Sequence, residues 1–155
     1  SFVTFEVTDF EDLNEIKKFN FIFSNMSFHW SKNFNVLLKK LLKKISNNTI
    51  LFFSIPNSIS FEKKESFSNL NNLMNKFPDI KNLLNKLDKN KYLLESKNII
   101  FKENFNNLLS FFYKLRKIGA NINTENRKKS LIRFRNQKSN LSVFYNINLV
   151  LIKKF

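Results

Sequence analysis

Residues 19–56 read FNFIFSNMSFHWSKNFNVLLKKLLKKISNNTILFFSIP, and this stretch decides the fold. Phe19, Phe21 and Phe23 alternate with other residues, which predicts a strand with one strongly apolar face. Ser31 is the predicted N-cap of the helix that follows. That helix is predicted because apolar residues recur at helical spacing, at Phe34, Leu37, Leu38, Leu41, Leu42 and Ile45. Thr49 to Ile55 is a second run of strand-forming residues, and Pro56 marks an edge, a bulge or the root of a loop.

The remaining chain carries weaker versions of the same patterns. Residues 66–90 are predicted to form short helical turns broken at Pro78, and residues 92–101 a third strand. A second amphipathic helix is predicted for residues 105–115 with Asn104 as its cap, followed by a short strand at Ile122. Leu141 to Leu151 alternate like an additional strand, which is interpreted as an appendage.

The order of these elements predicts the fold class. Strand, helix, strand, long excursion, strand, helix and strand match the β-α-β-β-α-β order of the ferredoxin-like split βαβ arrangement. We therefore expect an α+β protein in which an antiparallel sheet carries two helices on one face. Three segments are predicted: an acidic extension at 1–18, a core at 19–124 with a long excursion at 60–90, and a basic extension at 125–155.

Composition suggests both an origin and a partner. The 155 residues include 20 Phe, one Gly and no Cys, and 27 Lys and Arg exceed 12 Asp and Glu to give a net charge of +15. Phe, Asn, Lys and Ile can be encoded with A and T alone, which favours an A+T-rich organelle, a mitochondrion before a plastid. The positive charge favours a polyanionic partner. No apolar stretch is long enough to cross a membrane, so no transmembrane segment is expected.

Residues suited to catalysis are scarce. His29 is the only histidine, cysteine is absent, and the only glycine is Gly119, so nucleophile pairs and a phosphate-binding glycine loop are missing. His29 beside Trp30 is interpreted as a packing residue. The sequence therefore predicts no catalytic residue, metal, cofactor or small-molecule substrate, and a protein that is not an enzyme.

Several short stretches resemble the universal small-subunit ribosomal protein ten. They are the connection at residues 25–31 with its flanking strand and helix, Ser54-Ile55-Pro56, residues 62–67, and residues 115–123 around Gly119. The resemblance implies a structural protein in the head of the small ribosomal subunit. It also implies that the hairpin from Pro56 to Lys64 faces the particle interior and touches ribosomal RNA and neighbouring proteins.

The functional prediction follows from this resemblance and the charge. We expect a structural constituent of the mitochondrial small ribosomal subunit, located in the matrix, that binds ribosomal RNA and neighbouring small-subunit ribosomal proteins. The alternatives are an organelle-encoded accessory subunit of a respiratory membrane complex and a free-standing RNA-binding factor. The candidate RNA-binding residues are Lys39, Lys40, Lys43, Lys44, Pro56, Asn57, Ser58, Lys63, Lys64, Arg127, Lys128, Lys129, Arg133, Arg135 and Lys138. For the four lysines of the helix, a solvated polar face is an equal alternative, and a helix lying on a membrane surface is a third, less favoured one.

Overall fold

The computed structural model describes residues 3, 5–13, 15–62, 77–117 and 140–155. The strands in these ranges are β1 (Phe21–Asn25), β2 (Ile50–Phe61), β3 (Tyr92–Phe105) and β4 (Leu141–Lys154). The α-helices are α1 (Phe34–Lys44), α2 (Ile80–Asn85) and α3 (Leu108–Lys117), and two short 3-10 helices lie at Ile16–Lys18 and Phe28–Trp30. The four described strands form one sheet in the order β1-β2-β4-β3.

Strands β1 and β2 are parallel neighbours. Phe21 lies opposite Ile50, and Asn25 lies opposite Ser54 at the other end of the ladder. Parallel neighbours need a crossover connection, and α1 supplies it. Strand β4 runs antiparallel to β2, because Lys154 N–H donates to Thr49 O at 3.2 Å and Glu62 N–H donates to Ser142 O at 3.1 Å. The sheet is therefore mixed.

The predicted ferredoxin-like fold is wrong. In a split βαβ arrangement another strand separates the two parallel strands, whereas β1 and β2 are hydrogen-bonded to each other. The segment interpreted as an appendage forms β4, which lies between β2 and β3. Alternation of apolar residues reveals a strand and its buried face, but it does not say which strand lies beside it. The predicted strand at Ile122 lies outside the described residues.

The chain divides into two compact units, and the first holds the parallel strands. It comprises Ser1–Ile55, Pro78–Asn98 and Asn148–Phe155. Its core is the predicted stripe of α1 packed on one face of the sheet, with the buried residues Leu37, Leu38, Leu41, Leu42, Ile45, Leu51, Phe53, Ile55, Val150 and Ile152. The Phe53 ring lies 5.6 Å from that of Phe28 and 5.7 Å from that of Phe34. The apolar pattern of residues 34–45 thus predicted the buried face of α1 correctly.

The first turn of α1 is capped two residues later than predicted. Asn33 Oδ1 accepts from the backbone N–H groups of Asn35 and Val36 at 3.1 and 3.2 Å, which satisfies two of the unpaired donors at the helix start. The predicted cap, Ser31, instead donates its hydroxyl to Phe28 O at 2.8 Å. It therefore belongs to the end of the preceding 3-10 helix.

The second unit comprises Pro56–Phe77 and Ile99–Ile147. In its described part α3 packs on the sheet through Phe111, whose ring meets that of Phe61 at 5.6 Å and that of Phe105 at 5.4 Å, both edge to face. Asn107 is the cap of α3, since its Oδ1 accepts from Ser110 N–H at 2.8 Å, and the predicted cap Asn104 is wrong. The predicted three-part division at residues 18 and 124 remains a prediction.

Candidate active site

Polar residues interrupt two apolar strands at the same level of the sheet. Ser24 and Asn25 follow the apolar residues of β1, and Ser54 follows the first four residues of β2, which continues to Phe61. The parallel register places Asn25 directly beside Ser54. Open sheets of parallel strands bind ligands outside the carboxyl ends of those strands, and β1 ends at Asn25, so a ligand site is expected at this end of β1. We call Asn25, Met26, His29, Trp30 and Ser54 the strand-end cluster.

A chain of hydrogen bonds fixes the backbone at this level. The buried Ser54 hydroxyl accepts from Met26 N–H at 2.9 Å and donates to Asn25 Oδ1 at 2.5 Å. Met26 N–H also reaches Ser54 O at 3.1 Å. Because its amide oxygen is occupied, the exposed Asn25 side chain has its two N–H donors to offer to a ligand.

Met26 turns the chain out of the sheet with an unusual backbone angle. Its φ is +49°, in the left-handed region that residues with a Cβ rarely occupy. Such positions cost on the order of 1 kcal/mol or more and persist only where the surroundings fix them. Here the two contacts of Met26 N–H with Ser54 hold the turn.

His29 and Trp30 lie on the short helix that follows this turn. Their ring centroids are 4.5 Å apart, and Trp30 keeps 42% of its surface exposed. Burial lowers the pKa of His29, so the imidazole is neutral at neutral pH. Its Nδ1 is buried without a hydrogen-bond partner among the described residues, as is Ser24 Oγ.

The strand-end cluster offers amide donors, a neutral imidazole and an open indole face. Such a set can hold an anionic or polar group by hydrogen bonds beside an apolar surface. The sequence analysis interpreted His29 beside Trp30 as a packing residue, and it used Asn25, Met26 and Ser54 only as part of the ribosomal resemblance. The local signal in the sequence was that Ser24 and Ser54 each directly follow a run of strand-forming residues, but this does not show that Asn25 and Ser54 are neighbours.

Two of the four candidate lysines on α1 donate hydrogen bonds to the backbone of the N-terminal segment. Lys40 Nζ donates to Glu11 O, and Lys44 Nζ donates to Leu13 O at 2.9 Å. These two ammonium groups hold the N-terminal segment against α1. Lys39 and Lys43 are exposed.

The remaining candidate residues fall at other places. Pro56, Asn57 and Ser58 lie within β2, which continues through the proline, so they form no hairpin loop. The other candidates lie outside the described residues: Lys63, Lys64, Arg127, Lys128, Lys129, Arg133, Arg135 and Lys138. The structure thus does not bring the predicted set together as one described surface.

A second polar cluster occupies the second unit. Tyr145 O–H donates to Glu103 Oε2 at 3.3 Å, and Lys114 forms an ion pair with the same carboxylate. Burial, followed by the charge of Glu103, raises the pKa of Tyr145. Because the carboxylate has both an ammonium and a phenol as partners, we interpret this cluster as structural.

The described part of the chain contains neither a membrane-spanning helix nor a cluster of metal ligands. None of its helices combines the length and apolar character of a bilayer-crossing segment. Within the same residues, His, Asp and Glu side chains nowhere form a group of three that could bind a metal ion.

Comparison with known proteins relates the chain to methyltransferases. It is 29% identical over 130 residues to malonyl-[acyl-carrier protein] O-methyltransferase 1 of Ilyobacter polytropus. The aligned stretch covers 81% of this chain and 48% of that protein. Methyltransferase 2 of the same organism is 28% identical over 130 residues, covering 81% of the chain and 50% of the relative. The chain thus spans about half the length of the curated relatives it matches. No family model matches the sequence.

A solved structure shows the same fold. The crystal structure of a presumed methyltransferase from Bacillus halodurans C-125 superimposes with a TM-score of 0.53 at 13% identity, over 95% of this chain and 69% of that protein. The chain therefore has a methyltransferase fold, with the mixed sheet described above.

These findings overturn the predictions drawn from the ribosomal resemblance. The resemblance itself, the structural role in the ribosome, the alternative role in a respiratory complex, and the ribosomal RNA and ribosomal protein partners are wrong, because the relatives are methyltransferases. The expectation that the protein is not an enzyme is wrong for the same reason. The short matches consisted of common residues in an order of strands and helices that unrelated folds share.

Proposed function

We propose that this chain forms part of the catalytic domain of an O-methyltransferase whose substrate is a carboxylate on an acyl group carried by an acyl-carrier protein. The observation that carries the proposal is the 29% identity over 130 residues with a malonyl-[acyl-carrier protein] O-methyltransferase. The methyltransferase fold and the strand-end cluster support it, because that cluster lies where open α/β sheets bind ligands.

The chemistry of such a reaction matches the side chains that the chain possesses. Methylation of a carboxylate forms an ester, and the attacking oxygen already carries a free electron pair because carboxylic acids are ionised at neutral pH. No general base is needed. The scarcity of histidine and the absence of cysteine, which argued against an enzyme, therefore do not oppose this reaction.

The strand-end cluster can position the carboxylate. The exposed amide of Asn25 offers N–H donors, and the Ser54 hydroxyl fixes its orientation by donating to Asn25 Oδ1 at 2.5 Å. Trp30, which is 42% exposed on the short helix after β1, offers an apolar surface for the acyl chain. Neutral His29 adds a polar group without adding a charge.

The described residues do not by themselves fit a methyl donor such as S-adenosylmethionine. Nucleoside-bearing cofactors in open α/β sheets lie against a glycine-rich turn that lets the backbone approach closely. The one glycine of this chain, Gly119, lies outside the described residues.

A chimera tests the proposed function. The chain replaces the matched stretch of the Ilyobacter methyltransferase 1, and transfer of radiolabelled methyl from S-adenosylmethionine to malonyl-acyl-carrier protein is measured. We expect a base-labile methyl ester on the malonyl substrate and none on the acetyl-acyl-carrier protein control, which lacks a free carboxylate. A chimera that melts cooperatively and still transfers no methyl group contradicts the proposal.

A further inference from the structure

One face of the sheet in the first unit is apolar and open. The parallel register pairs Ile22 with Leu51 and Ser24 with Phe53 on the face that α1 covers. Side chains alternate between the two faces of a strand, so Phe21 and Phe23 point to the other face, where they are 58% and 59% exposed. The rings of Phe23 and Phe52 stack there at 5.8 Å. We call Phe21, Phe23, Ile50, Phe52, Leu93 and Leu151 the open face.

An open apolar face is unusual for parallel strands. Parallel strands are normally covered on both faces, since their crossover helices lie on both sides of the sheet. Among the described residues, only the α1 face of the first unit has such a cover. An exposed apolar patch of this kind marks an interaction surface.

The edge of β1 extends the same surface. β1 is the outermost strand of the described sheet, and its five residues include no charge. The other outer strand, β3, carries Glu95, Lys97, Lys102 and Glu103, which is how natural sheets prevent further strands from adding. The β1 edge lacks this protection and can accept another strand.

The occupant is indicated by the greater length of the relatives. The chain spans about half the length of its curated relatives. A second copy of this chain is disfavoured because two bodies of net charge +15 repel each other.

We propose that the open face and the β1 edge bind the complementary part of a methyltransferase domain, a polypeptide outside these 155 residues. It adds a strand beside β1 and covers Phe21 and Phe23 with an apolar helical layer. The identity of this occupant rests on the proposed function, whereas the existence of the surface does not.

Co-expression tests the docking surface. The affinity-tagged chain is produced together with the part of the Ilyobacter methyltransferase 1 that lies outside the matched stretch, and the molar ratio of the two purified polypeptides is measured. We expect a one-to-one complex. The double substitution Phe21→Glu with Phe23→Glu weakens it about 100-fold or more, since buried aromatic anchors dominate interfaces.

The control is Phe101→Glu, on β3 in the second unit. Phe101 is 57% exposed, so the chemistry and exposure match those of Phe21, and we expect a change of less than about threefold. Thermal melting of each chain establishes that it is folded. If the double variant does not melt cooperatively, the single substitutions Phe21→Ser and Phe23→Ser replace it.

Three outcomes overturn the proposal. They are no complex with the wild-type chain, equal weakening by the control, and a homodimer of the chain alone that the double variant abolishes in light scattering. The co-expression experiment measures binding, whereas the chimera measures methyl transfer. If the chimera is active but no complex forms, only the docking surface is refuted. A complex with an inactive chimera refutes the proposed methyl transfer alone.

Discussion

At the scale of single residues, Asn25 is the side chain on which the proposed substrate position depends. Its oxygen is held by Ser54, which leaves the N–H donors to a ligand. Position 25 could have been found from sequence only by knowing that β1 and β2 are parallel neighbours. The same holds for Ser54, because the two residues meet only through that register.

Asn25→Asp in the active chimera replaces donors by a charge of the same sign as the substrate. We expect kcat/KM for malonyl-acyl-carrier protein to fall roughly 10- to 100-fold, because a hydrogen bond to a charged group is worth about 1.5–3 kcal/mol. Asn35→Asp, an exposed position on α1, serves as the control and should leave the rate unchanged. Equal rates for both variants would remove Asn25 from the site.

His29 makes stability depend on pH. Burial lowers its pKa below the ordinary 6.5, so the unfolded state binds a proton more readily than the folded state. The free energy of unfolding therefore has its full value above pH 6.5, and it decreases as the pH falls from 6.5 towards the pKa of His29 in the folded state. Urea unfolding across this window should show the decrease in the wild type and a smaller one in His29→Gln. If the free energy of unfolding changed with pH equally in the wild type and in His29→Gln, the prediction would be wrong.

At the scale of elements, helix periodicity was the most informative part of the sequence. The stripe on residues 34–45 gave the buried face of α1, and the pattern of residues 105–115 located α3 with a shift of about one turn. The caps were misassigned because Ser, Asn and Thr near a helix start are interchangeable by propensity. Strand boundaries were less accurate, since β2 continues through Pro56 to Phe61.

Leu41→Ala should cost about 2–5 kcal/mol in the free energy of unfolding, because a buried leucine leaves both lost contacts and a cavity. Leu41 is 2% exposed in the core of the first unit. Val36→Ala on the same helix is the matched control, since Val36 is 60% exposed and surface changes stay within about 0.5 kcal/mol. Chemical denaturation measures both. Similar losses for the two variants would mean that α1 does not pack as described.

At the scale of the whole molecule, composition misled the functional interpretation. Lysine is encoded by A and T alone, as are phenylalanine, asparagine and isoleucine, so one nucleotide bias can account for both the aromatic content and the charge of +15. The charge was therefore not an independent indication of a nucleic-acid partner. Net charge bears on solubility and association rather than on fold. The predicted mitochondrial location rests on the same bias and remains a prediction.

Sheet order is also a property of the whole molecule. The sequence patterns located the regions of all four described strands, but the order β1-β2-β4-β3 places next to β2 a segment about 80 residues later in the chain. Local periodicity contains no information on such a pairing. The methyltransferase fold could therefore be recognised only from the assembled sheet and the comparisons.

Pro56 has a consequence for the space beyond the end of β1. Ile50 N–H donates to Asn20 O and Ser54 O accepts from Met26 N–H, so the backbone groups of alternate β2 residues, 50, 52 and 54, face β1. Residue 56 is the next in this series, and β1 has ended by then. Proline has no N–H to offer there. Residue 56 therefore cannot donate to a strand on that side of β2, which fits the end of the β1 ladder at the pair of Asn25 and Ser54.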